Sequence, residues 1–218
     1  MDKIKIKQSL EFILFLRRGI DAIRHQFFIK RKGFGYIHPT TQLGLPLYIT
    51  KKKNVYLEEQ TRIQTGCIIL TVTGKFIVKK YSALASKCTI ITGNHIPTVG
   101  IPQTHLRNHP HTDAEKDIII EEDVWIGSNV TLLAGAHIGR GAIIGACSLV
   151  NKEIPPYAVA VGSPAKVIAA KFTKEQIIKH EMKIYPKDER LTTDFLDDLF
   201  EKYYQGKRTI GNENKEEI

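Results

Sequence analysis

The sequence predicts a mainly β fold, a solenoid of short parallel strands, and three observations carry that expectation. Ile120, Ile126, Leu132, Ile138, Ile144 and Val150 recur at a strict spacing of six. Four positions after each of the first five stand Val124, Val130, Ala136, Ala142 and Ser148, all small or β-branched. Two earlier runs share the pattern: Val72, Val78, Leu84 and Ile90 with Phe76, Ser82 and Cys88, and before them Leu57, Ile63 and Ile69 with Thr61 and Cys67, displaced by three residues. A period of six matches neither the 3.6 of a helix nor the 2 of an ordinary strand. It marks a coil in which each repeat supplies one side and points its aliphatic residue at the axis. No repeat can bury that side chain alone, so stability comes from stacking turns.

Composition bounds the rest. At 218 residues, with 42% hydrophobic and 25% charged positions, the chain reads as an ordinary globular protein able to bury a sizeable core. Cys67, Cys88 and Cys147 are odd in number and widely spaced, with no CxxC pair, which argues against a disulfide framework or a thiolate zinc site and for a reducing cytoplasm. No apolar run approaches the roughly 20 residues that span a bilayer. Phe12–Leu16 is too short for a secretory signal and has no small-residue cleavage site after it.

The net charge of +9 is concentrated at the start: residues 1–32 hold nine Lys/Arg against three acidic residues. Apolar positions 10, 13, 14, 16, 20, 23 and 27 in that segment fall close to helical spacing. A basic amphipathic helix is expected over 1–32, either packed on the main domain or lying on an anionic membrane surface. No nucleic-acid-binding motif accompanies the charge, so nucleic acid is not an expected partner.

The repeat domain is expected over 33–170, interrupted by a polar excursion at 96–117 that is too long for a turn of the coil and more like a functional loop. Pro155-Pro156 is expected to end the regular coil before a strand over Val159–Ile168. Helices should fill 171–210. One is capped at Thr173, with Ile177, Ile178 and Met182 on its apolar side; the other starts at Thr193-Asp194-Phe195, with Phe195, Leu196, Leu199, Phe200 and Tyr203 on its apolar face. The polar tail 211–218 is expected to be disordered.

Two segments, Asp123-Val124-Trp125-Ile126-Gly127 and Val161-Gly162-Ser163-Pro164-Ala165-Lys166-Val167-Ile168, give the sequence a specific likeness. Over about residues 55–170 it resembles the hexapeptide-repeat acyltransferases, and in these segments the galactoside and maltose types of sugar O-acetyltransferase. The resemblance implies a left-handed parallel β-helix, a homotrimer with active sites between subunits, and acetyl-CoA as co-substrate. It also implies site residues. His95, at the mouth of the excursion, matches the catalytic base. Ser128 matches a serine that stabilises the oxyanion, and as a bare sequence feature it is equally an ordinary turn serine. Trp125, which should point outward because Val124 points in, matches a coenzyme contact; trimer packing would also cover it. Gly127, Ala146 and Lys166 match further coenzyme-contact positions.

The chemistry asked of these residues is ordinary acyl transfer. An imidazole with a reference pKa near 6.5 can take the proton of an attacking hydroxyl at neutral pH. The tetrahedral oxyanion then needs a fixed donor. Asn94 and His105 are assigned to the acceptor. Asn94 replaces a glycine common in the sugar enzymes. Thr65 and Thr73 stand where the galactoside enzyme has its sugar-binding asparagine and aspartate, and Asn151 and Ala169 replace a threonine and an arginine. The acceptor is therefore expected to be a saccharide other than a simple galactoside, such as a surface polysaccharide unit or a nucleotide- or lipid-linked sugar. His105, His109, His111 and Asp113 could suggest metal ligands, but they sit on a Pro-containing loop rather than on packed rungs, and no metal is expected.

The sequence thus reads as a cytoplasmic, trimeric, acetyl-CoA-dependent O-acetyltransferase of a saccharide. N-acetylation of an amino sugar, γ-carbonic-anhydrase-like metal chemistry and a non-catalytic β-helical scaffold stay open as alternatives.

Overall fold

A computed structural model of the chain describes residues 29–108 and 113–212, with Ile20 before them. Of the helix expected over 1–32, residues 29–32 are described and are not helical, while the rest apart from Ile20 lies outside the described residues, as do His109 and His111 of the excursion and most of the tail.

The chain winds through successive three-sided turns. The first turn is β1 (Tyr36–Ile37), β2 (Gln42–Leu43) and β3 (Tyr48–Ile49); the second is β4 (Val55–Leu57), β5 (Arg62–Ile63) and β6 (Ile68–Leu70). The third is β7 (Phe76–Val78), β8 (Ala83–Leu84) and β9 (Thr89–Ile91). An excursion bounded by β10 (Gly93–His95) and β11 (Asp113–Glu115) follows. The coil then resumes with β12 (Ile118–Ile120), β13 (Trp125–Ile126) and β14 (Thr131–Leu133), and with β15 (His137–Ile138), β16 (Ile143–Ile144) and β17 (Leu149–Val150). It closes with β18 (Glu153–Ile154), β19 (Ala158–Val161) and β20 (Lys166–Ala170). Stacking produces three sheets: β1-β4-β7-β12-β15-β18, β2-β5-β8-β13-β16-β19-β20 and β3-β6-β9-β14-β17. Every pairing within them is parallel except the terminal β19–β20 hairpin.

The six-residue period becomes three columns of side chains along the axis. Leu57, Val78, Ile120, Ile138 and Ile154 are in register in the first sheet. Ile63, Leu84, Ile126, Ile144 and Ala160 are in register in the second. Ile69, Ile90, Leu132 and Val150 form the third column. All are at most 1% exposed, and each large one contributes about 1.5–3 kcal/mol of burial.

The residues four positions on turn the corners. The residue just before each of them repeatedly takes a positive φ, as at Gln60, Tyr81, Lys87, Asp123, Asn129, Gly135, Gly141 and Cys147. The inward residue is small because the corner leaves it little room. Where it is polar, the main chain satisfies it: Thr61 Oγ1 donates to the Glu58 carbonyl, Ser82 Oγ to that of Glu121, and Ser148 Oγ to that of Gly145.

Several expectations need correction. Val72 is not an inward residue: it is half exposed, and the column passes from Ile69 to Val78 across an extra three residues. The first turn, with Ile37, Leu43 and Ile49 at the same spacing and Thr41 and Leu47 buried behind them, was not read from the sequence. Pro155-Pro156 does not end the coil, because β18 and β19 continue two of its sheets. Val159–Ile168 is not one strand but most of the β19–β20 hairpin, turned by Gly162–Ala165.

Helix α1 (Lys174–Ile184) begins with a full capping box between Thr173 and Gln176, as its sequence implies. Met182 is exposed, however, and Ile177 and Glu181 are the buried pair. Helix α2 (Thr193–Leu199) starts at Thr193 as expected, with Thr192 as its cap. It buries Leu196 and Leu199, leaves Phe195 exposed, and runs into a wider turn that buries Tyr204 against the Pro156 carbonyl. Among the described residues no helix is long and apolar enough to cross a membrane.

Candidate active site

His95 ends β10, at the corner between the third and first sheets. The chain leaves β9, pairs β10 with β11 in an antiparallel ribbon, and sets His95 opposite Asp113. Glu115 fixes this ribbon to the coil: its Oε2 accepts hydrogen bonds from the Gly74 amide (2.9 Å) and the Thr92 hydroxyl (2.8 Å). Its other oxygen lies over Gly93 so closely that a Cβ there would come within 2.1 Å. Half-buried His95 faces a cavity of about 180 Å³ lined by Leu70, Val72, Ile91, Gly93, Asn94 and Glu115. Asn94 is exposed, and its Oδ1 accepts the His95 amide hydrogen at 2.9 Å.

His105 lies elsewhere. It is exposed in the helical turn Gln103–Asn108, outside the lining of this cavity. Among the described residues no three His, Cys, Asp or Glu side chains come together as metal ligands.

The residues matched to coenzyme contacts gather on a different edge, the corner between the second and third sheets. Trp125 is 46% exposed, facing out of β13 between Ala83 and Ile143 on the strands either side. Gly127 is required by the turn above it: a Cβ would lie 2.6 Å from the Ala146 nitrogen and 2.9 Å from the Ile144 carbonyl. Ser128 follows, and its carbonyl accepts the Cys147 amide. Ala146 is exposed one turn on, and exposed Lys166 opens β20 opposite Val161 on the next.

A single chain therefore divides the candidates. His95 and Asn94 stand where the third sheet gives way to the first, and Ser128 stands where the second gives way to the third. The strands of the third sheet, three residues wide at β9 and β14, lie between them, about 10 Å of extended chain. The outer face of that sheet carries Tyr48 and Ile68, both about 40% exposed.

Asp123, the first residue of the most distinctive motif, is structural. Burial alone would raise its carboxyl, but the hydrogen bond from His180 and the nearby Lys171 ammonium outweigh it and hold the carboxyl below its ordinary value. It joins the coil to α1, as do Arg140 and Tyr157, which meet Glu181. Two of the three cysteines are closed to substrate. Cys67 and Cys88 are buried, and the contact with Cys67, together with burial, pushes the Cys88 thiol well above its usual range.

Sequence reasoning passed over Glu115, Leu70 and Ile91, and it places Val72 in the inward run. The three-residue offset between the first two runs was the available signal for Val72, and the resumption of the period at Ile118 was the signal for Glu115.

The bacterial transferase hexapeptide (six repeats) model matches residues 117–152. A chloramphenicol acetyltransferase of Klebsiella aerogenes is 51% identical over 59 residues, covering 27% of this chain and 28% of that protein. A galactoside O-acetyltransferase of Lactococcus lactis is 34% identical over 122 residues, 51% of this chain and 55% of the relative. The chain thus spans from about a quarter to about half of the length of these curated relatives. Among solved structures, a maltose O-acetyltransferase from Clostridium difficile superposes with a TM-score of 0.58 at 26% identity, over 78% of this chain and 89% of that one. The matched repeats lie on the turns that carry Trp125, Ser128 and Ala146, and over them the chain is similar to the bacterial hexapeptide transferases.

Proposed function

We propose that the protein is an acetyl-CoA-dependent O-acetyltransferase acting on a saccharide, with a left-handed coil over 33–170 assembled as a homotrimer. The observation that carries this reading is His95, set in a cavity at the mouth of the excursion in a chain 34% identical over 122 residues to a galactoside O-acetyltransferase. The split between His95 and the Ser128 edge supports a trimer: in a ring of coils, the His95 corner of one copy can meet the Ser128 edge of the next, with Tyr48 and Ile68 turned toward the axis.

In this mechanism acetyl-CoA lies along the Trp125, Gly127, Ala146 and Lys166 edge, the indole covering the pantetheine arm and the ammonium meeting a phosphate. The acceptor hydroxyl attacks the thioester carbonyl while the His95 imidazole takes its proton. Ser128 donates a hydrogen bond to the oxyanion. The C–S bond then breaks, and the imidazolium returns the proton to the leaving thiolate, giving the acetyl ester and free coenzyme A. The basic segment 1–32 would bring the enzyme to a lipid-linked acceptor at the cytoplasmic membrane face.

Thermal unfolding with and without acetyl-CoA tests the donor. A ligand at 100 times its Kd stabilises the fold by about 2.7 kcal/mol. His95→Ala should keep that shift while losing about 10²–10⁴ in kcat. Absence of any shift in well-folded protein would remove the acyltransferase reading.

A further inference from the structure

The corner between β6 and β7 departs from the repeat, and the departure faces the reacting centre. The inward column reaches Ile69 and next appears at Val78, so the segment between holds three residues more than a standard side of the coil. The extra length is pinned at several points. Thr50 Oγ1 donates to the Thr71 carbonyl at 2.8 Å, Asn54 Nδ2 donates to the Val72 carbonyl at 2.9 Å, and the Gly74 amide donates to Glu115. Held this way, Val72 is lifted out of the core and placed 49% exposed on the wall of the His95 cavity. Leu70 and Ile91, neighbours on adjacent strands of the third sheet, continue the wall.

The polar groups around this cavity are largely committed to the protein itself. Glu115 Oε2 already holds Gly74 and Thr92, its Oε1 is pressed against Gly93, and Asn94 Oδ1 holds the His95 amide. A hydroxyl pressed against Leu70, Val72 and Ile91 would leave water without a replacement partner, whereas a methyl group there is buried favourably.

We infer that the acceptor is a 6-deoxyhexose unit, which offers its methyl group to Val72 while a ring hydroxyl meets His95. This rests on His95 being the base of an acetyl transfer. The bond changes are those of the proposed reaction, with no oxidant or further reactant: an O–C(acetyl) bond forms, the thioester C–S bond breaks, and the proton passes through His95 to the thiolate.

Matched glycoside pairs that differ only in oxygen at C6 test the inference: methyl β-D-fucopyranoside against methyl β-D-galactopyranoside, and methyl 6-deoxy-β-D-glucopyranoside against methyl β-D-glucopyranoside. With full-length protein and acetyl-CoA, the deoxy member of at least one pair should show about tenfold or higher kcat/KM. Val72→Asn should shrink or invert that ratio, and Val72→Ile should keep it. The ratio is read within one protein, so partial misfolding does not move it. Equal use of both members, preference for the hydroxylated one, or a ratio indifferent to Val72→Asn overturns the inference. Turnover of none of the four also overturns it. Thermal stabilisation by acetyl-CoA then separates the two failures: a shift leaves acetyl transfer standing without this acceptor, and no shift removes both.

Discussion

Glu115 accepts the amide hydrogen of Gly74, forty-one residues earlier in the chain, at 2.9 Å, and so ties the returning end of the excursion to the corner that carries Val72. The same carboxylate excludes any side chain at Gly93, whose Cβ would sit 2.1 Å from Oε1. The two positions should therefore be coupled. Gly93→Ala should destabilise the protein by about 1–3 kcal/mol through overpacking. Glu115→Ala should cost about 1–3 kcal/mol by stranding the Gly74 and Thr92 donors. In the double variant the clash is gone, so its cost should fall short of the sum of the two single costs in a denaturant-unfolding cycle. Strict additivity would mean that the ribbon is not held this way.

Adjacent residues on β13 should respond in opposite ways. Ile126 is fully buried between Leu84 and Ile144, and Ile126→Ala should cost about 2–5 kcal/mol of stability. Trp125 faces outward, so Trp125→Ala should change the unliganded Tm little while reducing the shift produced by acetyl-CoA. Differential scanning fluorimetry with a titration of the thioester reads both.

The Asp123 contacts give stability a pH signature. Because the folded carboxyl titrates below its unfolded value of about 3.9, its contribution is complete above that value and is lost as pH falls toward the folded pKa. Asp123→Asn should cost about 1.5–3 kcal/mol at pH 7, the worth of hydrogen bonds to a charged group. The gap between wild type and variant should close as the pH drops below about 4. Urea unfolding at pH 7, 5 and 3.5 would show it, and a gap that stays constant would count against the ion pairs with Lys171 and His180.

Thiol chemistry offers a probe of the coenzyme edge. Cys147 is exposed beside Ala146, while Cys67 and Cys88 are sealed in the axis. A thiol-disulfide reagent should modify one cysteine per chain quickly and the other two only on unfolding. Acetyl-CoA should slow the fast reaction if it lies along that edge, and an unchanged rate would place the thioester elsewhere.

Much of the scaffold was legible because its cause is local and repeated. The run from Ile120 to Val150 announces inward positions by spacing alone, and the structure buries every one of them. The cap at Thr173 could be read for the same reason, since Thr173 and Gln176 satisfy one another within four residues. Val72 was misread because its neighbours in sequence fit the period, while hydrogen bonds donated by Thr50 and Asn54, on the preceding turn, and the one that Glu115, after the excursion, accepts from Gly74 decide where it points. The single strand expected over Val159–Ile168 failed similarly: a reversal at Gly162–Ala165 leaves the alternation of either half unchanged.

The coil, the outward face of Trp125 and the break in period after Thr92 can be read along the chain, because each follows from which side chains can enter a narrow apolar axis. The folded chain settles which edges those residues occupy. It alone set His95 apart from Ser128, committed Asp123 to α1 and gave Glu115 the corner of Gly74, because these relationships join residues whose distance along the chain says nothing of their distance in space.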